Sequence, residues 1–195
     1  MEKVSFGDAL KKALHLGGTL FAVTAVTGVI LGFVQYGTQD AIKRVELEAQ
    51  NVAFRAVMPN AKNFEQIVPE ADDFVAEVRR GDDAEGLVGW CFTVNSKGYG
   101  GIVNFIVGVM KDGSVKAINI LNHSETPGLG AKSTEPEFYE QFNDKSSLPL
   151  KVVKGTASNP DEISAISGAT ITSNAVTDGV NGAVNYWNKY LKGAE

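Results

Sequence analysis

Cysteine and histidine are nearly absent from this sequence. Cys91 is the single cysteine, and only two histidines occur among the 195 residues. One thiol excludes an internal disulfide framework. It also supplies too few thiolate ligands for an iron–sulfur cluster or a structural zinc site held by this chain alone. Any redox role must therefore rest on an organic cofactor.

Positive charge is also in short supply. The segment 40–195 contains 15 Lys and Arg against 21 Asp and Glu, a net charge of −6. An acidic body lacks the basic face that binds nucleic-acid phosphates, so we expect no nucleic-acid partner. The chain is 44% hydrophobic and 21% charged, and this composition excludes wholesale disorder.

Formal charge is missing entirely from residues 13–39, when histidine is counted as neutral. A helix needs about 20 residues to cross a hydrocarbon core of ~30 Å, and the run LGGTLFAVTAVTGVILGFVQY at 16–36 is long enough. Its threonines are tolerated because each hydroxyl can bond the carbonyl one turn back. A buried core helix would be shorter, and so would the apolar region of a cleaved signal peptide. We therefore predict a transmembrane helix over 13–38 in the lipid of the cytoplasmic membrane.

The residues that flank this span give a weak signal for its orientation. Three lysines precede it, and one lysine and one arginine follow it. The excess predicts a cytoplasmic N-terminus at 1–12 and an extracytoplasmic body. Gly28 and Gly32 form a GxxxG pair, which permits close packing on other membrane subunits, although glycine is also simply frequent in membrane helices.

The remaining sequence predicts an α+β domain with a mainly antiparallel sheet and flanking helices. An amphipathic connecting helix over 39–60 precedes a domain over 61–195. Thr134 is expected to cap a short helix that reaches Phe142, and a last helix is expected over about Ser173–Leu191. Segment 87–121 should form a meander at the centre of the sheet. The predicted strands are Phe64–Val68, Asp73–Arg79, Leu87–Asn95, Ile102–Met110, Val115–Leu121 and Leu150–Val153.

A cluster of hydroxyl side chains stands directly before the last helix, in the sequence SGATITS at 167–173. Helix N-termini attract phosphate because they present unpaired N–H groups and partial positive charge. Gly168 would let the backbone approach such a group closely. The alternative is an ordinary Ser/Thr cap. Neither a Walker phosphate loop nor a GxSxG nucleophile elbow is present.

SGATITS, together with GYGG at 98–101, the Asp112–Gly113 turn and HSETPGLG at 123–130, resembles the FMN-binding domain family in residues, order and spacing. In that family the threonine after Gly-Ala carries covalent FMN through a phosphoester, which implies Thr170 here. The similarity covers nearly the whole chain. It is greatest to the G subunits of Rnf electron-transport complexes. The C subunits of sodium-pumping NADH:quinone oxidoreductases are the alternative, but they are usually longer.

The resemblance and the phosphate argument together identify a set of candidate cofactor-binding residues. The hydroxyls would bond the phosphate, and the loop at 123–130 would lie near the flavin ring and tune its potential. Lys132 would stabilise a reduced, anionic flavin or simply be solvated, and His123 would tune a protonation step or hold the loop. No catalytic residues and no metal ligands are expected. The candidates are Thr170, Ser167, Gly168, Ala169, Thr172, Ser173, Glu125, Thr126, Gly128, Leu129, Gly130, Lys132, Tyr99 and His123.

The function implied is that of a membrane-anchored electron carrier in an ion-translocating ferredoxin:NAD oxidoreductase complex that pumps Na⁺ or H⁺. Its expected partners are the other membrane and redox subunits and, during maturation, a flavin transferase that recognises an acidic residue such as Asp161. An alternative of another class is a cofactor-free, membrane-tethered assembly or binding module. The long acidic body and the GxxxG pair favour that alternative.

Overall fold

The computed structural model of the chain describes the backbone of residues 6–193 and the side chains of residues 15–39 and 52–193. Its contacts divide the chain into a first unit that ends at Glu48 and a second that begins at Ala49. Residues 1–5 lie outside the described residues. So do the side chains of the rest of segment 1–12, the charged side chains that flank the span, and much of the apolar stripe of the connecting helix.

Helix α1 runs over Phe6–Val57. Within it, His15–Gln39 is long and apolar enough to cross a membrane. The four threonines inside the predicted span each donate a hydrogen bond to the carbonyl four residues earlier, at 2.7–3.0 Å. The prediction that these hydroxyls would be satisfied within the helix is therefore confirmed, and they add no unpaired polar group to the apolar surface.

A five-stranded antiparallel sheet forms the centre of the second unit, with the strands in sequence order. The predicted meander is present, but it does not occupy the centre of the sheet. The first two strands lie on one side of it, and its own last strand forms the opposite edge of the sheet. The turn between its last two strands contains Gly113 at φ 84°, a conformation that glycine adopts readily. The strands are β1 (Asn63–Ile67), β2 (Val75–Asp82), β3 (Leu87–Lys97), β4 (Ile102–Met110) and β5 (Val115–Asn122).

Both faces of the sheet are covered within the second unit. The C-terminal helix α3 (Thr170–Tyr186) buries its valines at 176, 180 and 184 in the larger core. Gly179 lets this helix approach the sheet, since a Cβ there would lie 2.7 Å from the Phe105 ring. On the opposite face Phe54 and Val57, both fully buried, pack with Cys91. Each fully buried apolar side chain of this size contributes about 1.5–3 kcal/mol.

The segment between the sheet and α3 holds short elements that position the site. They are a 3-10 turn (Gly130–Thr134), α2 (Pro136–Tyr139), a second 3-10 turn (Glu140–Phe142), β6 (Lys151–Val153) and β7 (Glu162–Ser164), and a π-helical turn (Trp187–Leu191) follows α3. Strands β6 and β7 pair in parallel. The three residues of β7 are too few for an alternating pattern, so the sequence did not predict this strand. The fold class is confirmed as α+β.

The predicted capping role of Thr134 was wrong. Helix α2 begins after Glu135, which is its N-cap by backbone conformation and makes no side-chain capping bond. Thr134 belongs to the preceding 3-10 turn, and its hydroxyl donates to the Ala131 carbonyl at 2.9 Å. The hydroxyl bonds a carbonyl three residues earlier because Thr134 is still part of the 3-10 turn. The Gly-rich sequence before it did not predict that turn.

Candidate functional site

The N-terminus of α3 has unpaired backbone donors. Its N-cap is Ala169, which has no side-chain capping bond. Within the described part of the chain, the N–H groups of Thr170, Ile171 and Thr172 donate to no acceptor. The predicted Ser/Thr cap is thus not formed by the N-cap residue. Three N–H groups and the positive end of a 17-residue helix point out of the first turn, which is an arrangement that binds anions.

The hydroxyl of Ser173 is used inside the protein. Ser173 is fully buried, its Oγ donates to the Ala169 carbonyl at 3.0 Å, and it accepts the Ile166 N–H at 3.0 Å. These two bonds fix the 166–169 segment against the first turn of α3. Ser173 therefore positions the 166–169 segment, and it does not line the cavity described below.

Glu125 ties the 123–130 loop to α3. Its carboxylate is 6% exposed. Oε2 accepts a 2.7 Å hydrogen bond from the Thr172 hydroxyl, and Oε1 accepts a 3.0 Å bond from the Gly100 N–H. The Glu125 N–H in turn donates to Nδ1 of half-buried His123 at 3.2 Å. Three segments distant in sequence therefore meet at one buried carboxylate.

Glycines surround this carboxylate for a steric reason. A Cβ at Gly98 or Gly130 would overlap an oxygen of Glu125, and one at Gly100 would overlap the carbonyl of Ser124. Real Cβ atoms do not tolerate such approaches, so any side chain at these positions would displace the loop. Gly98, Gly100 and Gly130 are thus explained by packing around Glu125.

A cavity of about 430 Å³, here called the Thr170 cavity, opens in front of these groups. This volume lies in the range of about 300–1,000 Å³ that is typical of ligand sites. Its outer wall is apolar, with exposed fractions of 73% for Tyr99, 43% for Leu129 and 55% for Ile171. The residues that line it are Tyr99, Glu125, Thr126, Leu129, Gly130, Gly168, Ala169, Thr170, Ile171 and Thr172.

Two of the predicted residues line a second cavity instead. This cavity has a volume of about 390 Å³ and is here called the Lys132 cavity. Lys132, Ser167 and helix α2 bound it. Gln141 closes one wall, where its amide oxygen accepts the Ser164 N–H at 2.7 Å. The structure therefore does not bring Lys132 or Ser167 to the wall that holds Thr170.

The other predicted residues fall into clear groups. Gly128, at φ 77°, is exposed at the tip of the loop and does not line the Thr170 cavity. Asp161 pairs with Lys151 at 2.8 Å, and this hydrogen bond lowers the pKa of the Asp161 carboxyl. Ile171 lines the Thr170 cavity but was not among the predicted site residues. An apolar residue between two threonines does not indicate a binding role unless the start of the helix is known. Among the side chains that the structure describes, no cluster of His, Cys, Asp and Glu is arranged to hold a metal ion.

Comparison with known proteins gives three kinds of match. The family model "FMN-binding domain" matches residues 98–185. The G subunit of the proton-translocating ferredoxin:NAD(+) oxidoreductase complex of Clostridium ljungdahlii is 35% identical over 173 residues, which cover 85% of this chain and 90% of that protein. The G subunit of the Na(+)-translocating complex of Acetobacterium woodii is 35% identical over 197 residues, or 93% and 95% of the two chains.

A solved structure supports the fold. NqrC of Shewanella oneidensis superposes with a TM-score of 0.50 at 24% identity, covering 68% of this chain and 72% of that one. At this identity the likeness shows a shared fold and carries no argument about activity.

Proposed function

Since the chain belongs to the family of G subunits of ion-translocating oxidoreductase complexes, we propose that it is the membrane-anchored electron carrier of such a complex. The relatives are named as subunits of ferredoxin:NAD(+) oxidoreductase complexes that translocate protons or Na⁺. The match to the FMN-binding domain supports a flavin cofactor, and the apolar span His15–Gln39 supports a membrane anchor. A flavin supplies the electron-transfer chemistry that the chain's own side chains lack.

The proposal places FMN in the Thr170 cavity, with its phosphate esterified to the Thr170 hydroxyl. The residues present fit such a group. The unpaired N–H groups of the first turn of α3 would stabilise the phosphate charge, and the apolar rim would contact the ring system. The glycines around Glu125 let the loop pack closely on α3, which leaves the cavity open.

The observation that carries the choice of Thr170 is the state of the neighbouring hydroxyls. Thr172 is 1% exposed and its hydroxyl is bonded to Glu125, while the buried hydroxyl of Ser173 is bonded to Ala169. Thr170 is half-buried, lines the cavity, and its hydroxyl bonds no residue in the described range. It is the threonine hydroxyl of α3's first turn that an incoming phosphate can reach.

Attachment would require a separate transferase that uses FAD. The Thr170 oxygen would form the new bond to the FMN phosphorus, the bond between the two phosphates of FAD would break, and AMP would leave. The hydroxyl proton would be released to solvent. Covalent attachment suits a domain outside the cytoplasm, where a lost flavin would not be replaced. We place the domain there from the charges that flank the span.

Co-expression with a flavin transferase tests the attachment. Wild-type protein should show flavin fluorescence in a denaturing gel, and Thr170→Ala should show none. Thr170→Ser is the matched variant because it keeps a hydroxyl, and it should retain measurable labelling. Full labelling of Thr170→Ala, or a wild-type protein that stays colourless when isolated from its own membrane, would contradict the proposal. The second result would support a cofactor-free module.

The remaining subunits of the complex are the proposed partners. Electrons would enter from one redox subunit and leave to another, so no diffusible substrate is needed. The alternative assignment, to the C subunit of a sodium-pumping NADH:quinone oxidoreductase, has less support. The C subunit of Vibrio alginolyticus is 30% identical but is matched over only 57% of its length, whereas the two G subunits are matched over 90% or more of theirs.

A further inference from the structure

Glu125 has a buried carboxyl group that pairs with no lysine or arginine among the described side chains. The ion pairs in the described part of the chain are Arg79–Glu77, Arg80–Asp82, Lys116–Asp144 and Lys151–Asp161, and none involves Glu125. Lys132, the nearest lysine in the sequence, lines the other cavity. A carboxylate that is 6% exposed and has no counter-charge is uncommon, because burial without pairing is costly.

Each oxygen of the Glu125 carboxyl group has one hydrogen-bond partner. One oxygen receives a backbone N–H, which can only donate, and the other lies 2.7 Å from the Thr172 hydroxyl. Two donors, one on each oxygen, match a carboxylate that accepts at both. The positive end of α3 adds to this stabilisation, since Thr172 lies in the first turn of that helix.

We propose that Glu125 lowers the reduction potential of the flavin by holding a fixed negative charge on the wall of the Thr170 cavity. This inference rests on the proposed function. Each electron that enters a flavin comes from a neighbouring redox subunit and adds negative charge until a proton follows from solvent. A fixed anion disfavours that change. At an effective dielectric constant of about 20, a unit charge shifts such an equilibrium about tenfold even at a separation of ~12 Å.

Glu125→Gln tests this directly, because it removes the charge and keeps the size of the side chain. The Gln carbonyl can still accept the Gly100 N–H, and its NH₂ can donate to the Thr172 oxygen. Flavin attachment is checked first by intact mass. The midpoint potential of the flavinylated protein should then rise by about 59 mV for a one-electron couple, or about 30 mV for a two-electron couple, each corresponding to a tenfold change.

Two variants separate charge from shape. Glu125→Asp keeps the charge and should leave the potential closer to wild type than Glu125→Gln does. Glu85→Gln removes one charge from an exposed turn far along the chain and should leave the potential unchanged. Equal potentials in wild type and Glu125→Gln, with flavin attached to both, would overturn the role of Glu125 and leave the proposed function standing. A wild-type protein without flavin would instead overturn the proposed function.

A second measurement applies if Glu125→Gln does not fold. Thr172→Val keeps the charge but removes the hydroxyl dipole that offsets it, so the potential should fall below that of wild type. An unchanged or raised potential in this variant would contradict the proposal. Circular dichroism of the cofactor-free Thr170→Ala background identifies any variant whose effect comes from lost structure.

Discussion

The hydroxyl of Thr172 donates a 2.7 Å hydrogen bond to Oε2 of Glu125, a residue 47 positions earlier in the chain. This bond closes the loop onto α3 and satisfies a buried carboxylate. Thr172→Val should therefore lower the free energy of unfolding by about 1–3 kcal/mol, because it leaves one oxygen without its donor. Chemical denaturation of the cofactor-free protein measures this change in the free energy of unfolding. The exposed Thr156→Val serves as the control and should change stability by less than about 0.5 kcal/mol.

The glycine at 130 should not tolerate a side chain. A Cβ there would overlap Glu125 Oε2 and lie 2.6 Å from the Thr172 hydroxyl, so Gly130→Ala forces the loop away from α3. We expect a larger loss of stability than for Gly128→Ala, where φ is 77° but no atom lies within 4 Å. The strain at Gly128 alone costs about 1–2 kcal/mol. Equal losses in thermal denaturation of the two unflavinylated variants would show that contact with Glu125 is unimportant.

Asn181 holds β6 against α3. Its side-chain oxygen accepts the Leu150 N–H at 2.8 Å, and its NH₂ donates to the Leu150 carbonyl at 2.8 Å. Asn181→Ala removes both bonds from a partly buried site, and the expected loss is about 2 kcal/mol in urea denaturation. Asn143 is exposed, so Asn143→Ala provides the comparison. If the two variants lose the same stability, the clamp does not contribute.

Burial of Cys91 predicts a loss of stability at alkaline pH. Burial raises the pKa of this thiol from an ordinary value of 9.0 to about 12, with Arg79 opposing the shift. The folded state keeps the thiol neutral, so the stabilisation is complete below pH 9 and is lost as the pH rises toward 12. In that window the wild type should lose about 1.4 kcal/mol per pH unit more than Cys91→Ala. If the thiol titrates normally, the free energies of unfolding of wild type and Cys91→Ala, measured by denaturation, would change equally with pH.

The proposed topology predicts which side of the membrane the domain occupies. Glu85 lies in an exposed turn between β2 and β3, so a membrane-impermeant maleimide should label Glu85→Cys on intact cells. Cys91 is fully buried, so the wild type should remain unlabelled and provides the control. Labelling that appears only after the membrane is permeabilised would place the domain in the cytoplasm.

The sheet could be predicted from the sequence because its strands are long and strongly patterned. Segment 102–110 is a run of apolar residues between two glycine turns, and β4 has those bounds. The start of α3 was harder to predict. Thr170 precedes the expected first residue, Ser173, because Ala169 caps the helix by backbone conformation alone. Local side-chain rules do not register such a cap.

The candidate site was predicted in part, and the limit was long-range geometry. Thr170 and the 123–130 loop carry motifs that specify chemistry without any knowledge of contacts. Lys132 and Ser167 lie next to cavity-lining residues in the sequence, but the 3-10 turn at Gly130–Thr134 and the bend at Gly168 direct them to the Lys132 cavity. The meeting of Glu125 with Gly100 and Thr172 joins segments 25 and 47 residues apart, and no local pattern encodes it.

Mass spectrometry of the protein isolated from its native membrane shows whether Thr170 carries the flavin. We expect an intact mass raised by one FMN less one water, and fragmentation that locates the addition on Thr170. An unmodified chain, or an addition located on Thr172 or any other residue, would contradict this expectation.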